Sequence, residues 1–253
     1  MEQGYEVCGH QHSLTRRRRY PMAFNAAAAP AEIKIYTARA LATVLKEIGS
    51  TFERATGTRL DVVTGYSPTM VAQLNAGEPF DVVVSLPGAI DDLARNGKVL
   101  AETRRRLVRA GNGVEVRAGA AKPDIGSTET FKRTLLDAKS IGYLQVSGVP
   151  QLVEHLGIAE VIRPKVTIPD ADIVSELVAR GTLEIGVVVA TQILTTPGVE
   201  LVGPLPPEIQ IYATFEGAVS SETKVPDAAR VLLEFLTGPI AIPVIKMQGM
   251  EPI

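Results

Sequence analysis

Three times between Glu32 and Gly97 the chain passes from a short β-branched stretch through a turn into an amphipathic segment, and this rhythm constrains the fold more than any other feature. Ile33-Lys34-Ile35-Tyr36 precedes Leu41, Val44, Leu45, Ile48 and Phe52 at helical spacing, with Gly57 as a stop. Leu60-Asp61-Val62-Val63 runs through Gly65-Tyr66-Ser67-Pro68-Thr69 into a helix over Val71 and Leu74 that ends at Asn75-Ala76-Gly77. Asp81-Val82-Val83-Val84-Ser85 leads to a helix with Ile90, Leu93 and Ala94, closed by Asn96-Gly97. Repeated strand-to-helix turns predict a parallel sheet flanked by helices, a fold class in which ligands bind outside the carboxyl ends of the strands.

Leu107 to Arg117 breaks the rhythm with alternating valines and charged residues plus Gly111 and Gly113, as expected of a strand crossing into a second lobe. The alternation then resumes: a helix from Thr128 through Phe131 and Leu135, a strand Ile141–Leu144, and a helix Val149–Leu156 stopped by Gly157. A short strand Val166–Ile168, a helix through Val174, Leu177 and Val178 capped by Asp170 or Asp172, and a buried strand Ile185–Val189 complete the lobe. Pro204-Leu205-Pro206-Pro207 is a stiff connector, Ile211–Val219 a returning strand, Pro226–Leu236 a helix, and Pro239–Met250 a further helical piece. The expected organisation is an N-terminal tail (1–31), lobe I (32–110 and 205–253) and lobe II (111–204), each lobe α/β with a mostly parallel sheet, joined by two crossover segments. With 253 residues, 45% of them hydrophobic, the chain has enough apolar material for such a core.

Composition narrows the function classes. Lys and Arg (26) nearly balance Asp and Glu (28), so no general polyanion surface, and hence no nucleic acid partner, is expected. Cys8 is the single cysteine, which excludes an internal disulfide and any thiolate-rich metal site. Cys8-Gly9-His10-Gln11-His12 lacks a second ligand cluster, so no metal and no cofactor is expected. No stretch approaches the roughly 20 apolar residues of a membrane-spanning helix. Arg16–Arg19, a weakly apolar Tyr20–Asn25 interrupted by Pro21, and small residues from Ala26 to Ala31 have the order of an export signal of degenerate form. The alternative for that segment is a cytoplasmic tail. With aromatics at 5% and no tryptophan, recognition falls to backbone amides, hydroxyls and a few charges, which suits a small polar ligand.

Ile35-Tyr36-Thr37-Ala38-Arg39-Ala40-Leu41, Phe52-Glu53-Arg54-Ala55-Thr56-Gly57, Ala72-Gln73-Leu74-Asn75-Ala76-Gly77, Gly186-Val187-Val188-Val189-Ala190-Thr191 and Phe235-Leu236-Thr237-Gly238-Pro239 occur in an order that resembles the molybdate-binding-like family of bacterial solute-binding proteins. The resemblance covers Glu32 to Pro252. It implies a two-lobed type 2 periplasmic binding fold, a small anionic ligand in the cleft between lobes, and delivery as a monomer to the membrane permease of an ABC-type importer. Helix N-termini would form such a site, since their unpaired N–H groups converge on an anion. Molybdate-binding members usually carry a serine just before the leucine of the first turn, where this chain has Ala40 preceded by Arg39. A hydroxyl donor is thus replaced by a planar cationic fork matched to carboxylates.

The candidate ligand-binding residues are Arg39, Ala40, Ser67, Thr69, Ser85, Ser147, Gly148, Thr191 and Gln192. Each has an ordinary structural role as alternative: Ser67 and Thr69 as turn or cap residues, Arg39 as the surface partner of a carboxylate such as Glu32, Arg109 as a solvated strand residue, and His155 as a half-buried helix residue. No nucleophile triad and no phosphate-binding loop stands out, so no catalytic residue is assigned. Some members of the wider fold are aconitate isomerases, which leaves an enzyme acting on a small tricarboxylate as the alternative function.

Overall fold

The computed structural model describes residues 32–169 and 173–253; the arginine run, the Ala-rich stretch and Cys8 of the tail, and the proposed caps Asp170 and Asp172, lie outside the described residues. In chain order the elements are β1 (Glu32–Ala38), α1 (Ala42–Thr56), β2 (Arg59–Gly65), α2 (Ser67–Asn75), β3 (Val82–Ser85), α3 (Pro87–Arg95) and β4 (Arg105–Arg117). They continue with α4 (Thr128–Asp137), β5 (Ile141–Tyr143), α5 (Val149–His155), α6 (Ala159–Ile162), β6 (Val166–Thr167), α7 (Val174–Ala179), β7 (Ile185–Val189) and α8 (Ala190–Thr195). The chain closes with β8 (Val199–Pro204), β9 (Tyr212–Val219), α9 (Pro226–Thr237), α10 (Ala241–Met247) and β10 (Glu251–Pro252).

β1 pairs in parallel with β2 and β3, and β5 in parallel with β6 and β7, so each lobe has the parallel core its βα turns predict. The strands nevertheless form one connected ladder, in the order β2-β1-β3-β9-β4-β7-β5-β6, with β8 and β10 also on β4. The cause is the length of β4. Its first half pairs antiparallel with β9, and its second half with β7 and β8. β8 has no counterpart in the sequence reading, because a run bracketed by Gly198 and the proline-rich connector reads as a loop; Pro204 ends β8, where its missing N–H costs least. The C-terminal helix is also shorter than expected, since Glu251 and Pro252 pair with Arg109 and Val108 of β4.

Both faces of each parallel core are covered. In β1, Ile33 and Ile35 point to a cluster with Phe52, Phe215 and Leu232, while Tyr36 joins Met70, Leu74, Val83 and Ile90 on the opposite side. In the second lobe, Val187 packs with Phe131, Leu135 and Ile141, and its neighbour Val188 with Val174, Val178 and Leu183. Helix α1 buries Val44, Leu45, Ile48 and Phe52, and ends at Gly57, whose φ of 72° lets its N–H close on Glu53 O. His155 is exposed, not half-buried.

The two crossover segments run side by side. The Gln210 amide clamps them: Nε2 donates to Asn112 O at 3.2 Å and Oε1 accepts from Asn112 N at 3.0 Å. Among the described residues no single helix is long and apolar enough to cross a membrane; the bent pair α9 and α10 meets the length and composition together, and contributes Leu232, Leu233, Leu236, Ala241 and Ile245 to the core.

Candidate functional site

The residues that follow β1, β2, β3, β5 and β7 meet between the lobes. A recess of about 50 Å³ is lined by Ala38 at the end of β1 with Arg39 and Ala40 after it, Tyr66 and Ser67 after β2, Leu86 after β3, Val146 and Ser147 after β5, and Val189 at the end of β7 with Gln192 on α8. A wider groove of about 680 Å³ shares Ser67, Leu86, Val146 and Ser147 with it and extends over the first turn of α3 to Asp92, Tyr212 and Thr214. The groove has the size of a small-molecule site, whereas the recess has room for a few waters.

Three helices begin at this cleft. The residues preceding α2, α3 and α5 are Tyr66, Leu86 and Gly148, none of which caps its helix with a side-chain hydrogen bond. The N–H groups without a side-chain cap are those of Ser67 and Thr69 on α2 and of Gly88 on α3, since Pro68 and Pro87 carry none and Ala89 N donates to Leu86 O at 3.0 Å. At α5 the hydroxyl of Ser147 accepts from Val149 N at 3.3 Å while donating to Leu144 O at 2.6 Å. Gly148 stands at φ 78°, a conformation that favours glycine, and a Cβ there would lie 3.0 Å from Ile211 Cγ2 on the crossover, a tight contact.

The structure gathers Arg39, Ala40, Ser67, Ser147 and Gln192 around the recess and Gly148 at the groove. Three other candidates lie elsewhere. Ser85 is fully buried at the end of β3, where its Oγ donates to Ser67 Oγ at 2.9 Å; it supports a lining residue instead of lining the cleft. Thr69 is exposed and lines neither space, because two positions along a helix turn it about 200° from Ser67. Thr191 is buried at the interlobe contact, its Oγ1 reaching Ala40 O at 3.5 Å. Arg39 pairs with Glu176 of α7 in the other lobe, not with Glu32, which faces Arg59 at 3.9 Å. Arg109 binds Glu251 and lies over the Tyr212 ring, 4.4 Å from its centroid.

Tyr66, Asp92, Tyr212 and Thr214 were absent from the sequence candidates. Tyr66 stood within the second turn motif, and the 212/214 alternation on the returning strand was the available signal for the last two. Asp92 sits at the groove's mouth, where hydrogen bonds from Asn75 and then Arg95 hold its carboxyl below the usual range. It is therefore anionic at neutral pH, with Arg95 3.0 Å away to offset it. Among the described residues no cluster of His, Cys, Asp and Glu has the makings of a metal site.

A two-lobed α/β molecule with converging strand ends at an interlobe cleft has the architecture of type 2 periplasmic binding proteins. The fold is shared with the periplasmic molybdate-binding protein of Azotobacter vinelandii (TM-score 0.72, 19% identity, covering 86% of this chain and 98% of that one). It is shared equally with the sulfate-binding protein SubI from Mycobacterium tuberculosis H37Rv (TM-score 0.73, 14% identity, 88% and 87%). The family of bacterial extracellular solute-binding proteins matches residues 33–251, and the chain belongs to it. Curated relatives include an aconitate isomerase from a Pseudomonas species, 32% identical over 218 residues and covering 83% of each chain. The molybdate-binding protein ModA of Escherichia coli K12 is 25% identical over 243 residues, covering 91% of this chain and 93% of its own. Membership of a solute-binding family favours binding over catalysis.

Proposed function

We propose that the protein is the solute-binding component of an ABC-type importer, acting outside the cytoplasm as a monomer that hands its ligand to a membrane permease, and that this ligand is a small carboxylate. The observation that carries the ligand class is Arg39: it is the one cationic side chain among the described residues lining the recess, which it shares with the hydroxyl of Ser67 and the amide of Gln192. A guanidinium with neutral donors around it suits a planar carboxylate better than a tetrahedral oxyanion held by neutral donors alone. Similarity to both molybdate-binding proteins and an aconitate isomerase supports an anion, and the latter supports a carboxylate. Lobe boundaries at 32–110 with 205–253, and 111–204, are supported by the clamp between Asn112 and Gln210 on the two crossover segments.

A second reading, catalysis of aconitate isomerisation, is favoured by the 32% identity to that isomerase. Proton abstraction needs a base within hydrogen-bond reach. Apart from Arg39, Tyr66 is the one ionisable side chain among the described recess residues; the carboxylate of Asp92 lines the wider groove, where Asn75 and Arg95 donate to it.

Citrate, both aconitate isomers, molybdate, tungstate, sulfate and phosphate should be compared by thermal shift. At a hundred times its Kd a ligand adds about 2.7 kcal/mol, which for a chain of this size raises the Tm by roughly 5–10 °C. A larger shift with molybdate or tungstate than with any carboxylate refutes the proposed class. NMR of aconitate with substoichiometric protein should show no cis/trans interconversion above the buffer rate; sustained turnover replaces the binding role with the enzymatic one.

Export with removal of the tail forms part of the proposal, on the strength of the basic run before the small residues. Intact-mass measurement of natively expressed protein should give a mature start near Ala31, and a cytosolic product retaining Met1 would contradict it.

A further inference from the structure

We propose that Glu176 is an interlobe latch and positioning residue: it holds the cleft shut through Arg39 and fixes that guanidinium in the wall of the recess. Arg39 belongs to the turn after β1, whereas Glu176 lies on α7, which contributes Val174 and Val178 to the core of the other lobe. Arg39 Nη1 donates to Glu176 Oε1 across the cleft. Arg39 also lines two spaces at once, the 50 Å³ recess and an opening of about 510 Å³ behind it, whereas Glu176 lines the rear opening alone. Arg39 thus borders both spaces, and its ion pair is with a residue that lines the larger one.

Two further observations make the pair a latch. Glu176 Oε2 is buried without a hydrogen-bond partner, so among the described residues the carboxylate directs its hydrogen bonding at Arg39 alone. The nearby interlobe hydrogen bond from Thr191 to Ala40 O is long, at 3.5 Å, and neutral. A recess this small admits no multi-carboxylate ligand until the lobes part, and parting them breaks the Arg39–Glu176 pair. Exposed ion pairs add little to folding, and these side chains are 43% and 32% exposed. Lobe closure, however, is an equilibrium between two folded states, in which a several-fold bias is enough to change the dominant form.

The ligand-related part, that Glu176 keeps Arg39 turned toward the recess, rests on the carboxylate reading above; the latch does not, and its test contains no ligand. Small-angle scattering of the ligand-free full chain should give a larger radius of gyration for Glu176→Gln and for Arg39→Gln than for the parent. The double variant should expand no further than either single one, and the exchange Arg39→Glu with Glu176→Arg should restore the parent's dimensions. Glu176→Asp, one methylene shorter, gives the same expansion by a milder change, and far-ultraviolet circular dichroism identical to the parent's assigns the expansion to opening. Unchanged dimensions in Glu176→Gln and Glu176→Asp, or an exchanged pair that stays expanded, overturn the latch. Citrate dissociation measured by stopped flow should then be several-fold faster in Glu176→Gln; failure of citrate to bind the parent at all counts against the carboxylate reading and leaves the scattering result standing.

Discussion

Arg39→Ala is expected to weaken citrate or aconitate binding ten- to a hundredfold. A charge-assisted hydrogen bond contributes on the order of 1.5–3 kcal/mol, and each decade of affinity corresponds to about 1.4 kcal/mol. Arg39 lies in the recess wall beside Ala40, whose side chain offers no donor, so the adjacent position supplies no hydroxyl in its place. Arg39→Lys should recover only part of the affinity, since an ammonium lacks the fork that binds two carboxylate oxygens. Part of the effect passes through the latch, and Glu176→Gln, which loses the latch while keeping the guanidinium, measures that part. Isothermal titration of the three variants beside the parent separates them. Carboxylate affinity unchanged in Arg39→Ala, or molybdate binding tighter than carboxylate in the parent, defeats the prediction.

The partner of Arg39 marks the boundary of what the sequence discloses. Local patterns sufficed for the strand-to-helix turns, because β-branched runs, helical apolar spacing and stops such as Gly57 act within a few residues. They also brought Ser67 and Ser147 to the cleft, as both follow strands whose carboxyl ends face it. Thr69 failed on helix phase, and Ser85 on strand phase: its side chain lies beneath Ser67 and is fully buried. Glu176 was not among the candidates, and Thr191 was expected to meet the ligand instead of the other lobe, for another reason. Their contacts with Arg39 and Ala40 depend on how one lobe seats on the other, which is set by β4 and the Gln210 clamp and not by any nearby residue. β8 was hidden because it is defined by pairing to β4, while its own composition, bounded by Gly198 and Pro204, reads as a loop.

The largest loss of stability is expected from Phe52→Ala, because Phe52 ties an early helix to one near the end of the chain within a single hydrophobic cluster. It projects from α1, early in the chain, and is fully buried. Its ring meets that of Phe235 on α9 edge to face, with centroids 5.3 Å apart at 73°. Truncation removes the burial of a large ring and leaves a cavity between two helices anchored on the same sheet, where the backbone has little freedom to collapse. Such changes cost about 3–5 kcal/mol, a large share of the 5–15 kcal/mol typical of a folded domain. At roughly 2–4 °C per kcal/mol for a chain of this size, the Tm should fall by about 6–20 °C. Phe52→Leu, which keeps most of the volume, should recover more than half of that. The site lies at the strand ends and not in this cluster, so ligand affinity measured well below the new Tm should stay within about twofold of the parent, a difference of roughly 0.4 kcal/mol. A Tm drop of only a few degrees would mean that Phe235 and its neighbours refill the space and that α1 and α9 are held together by other contacts; a large loss of affinity in the folded variant would mean that α1 sets the position of the Arg39 turn from which it departs.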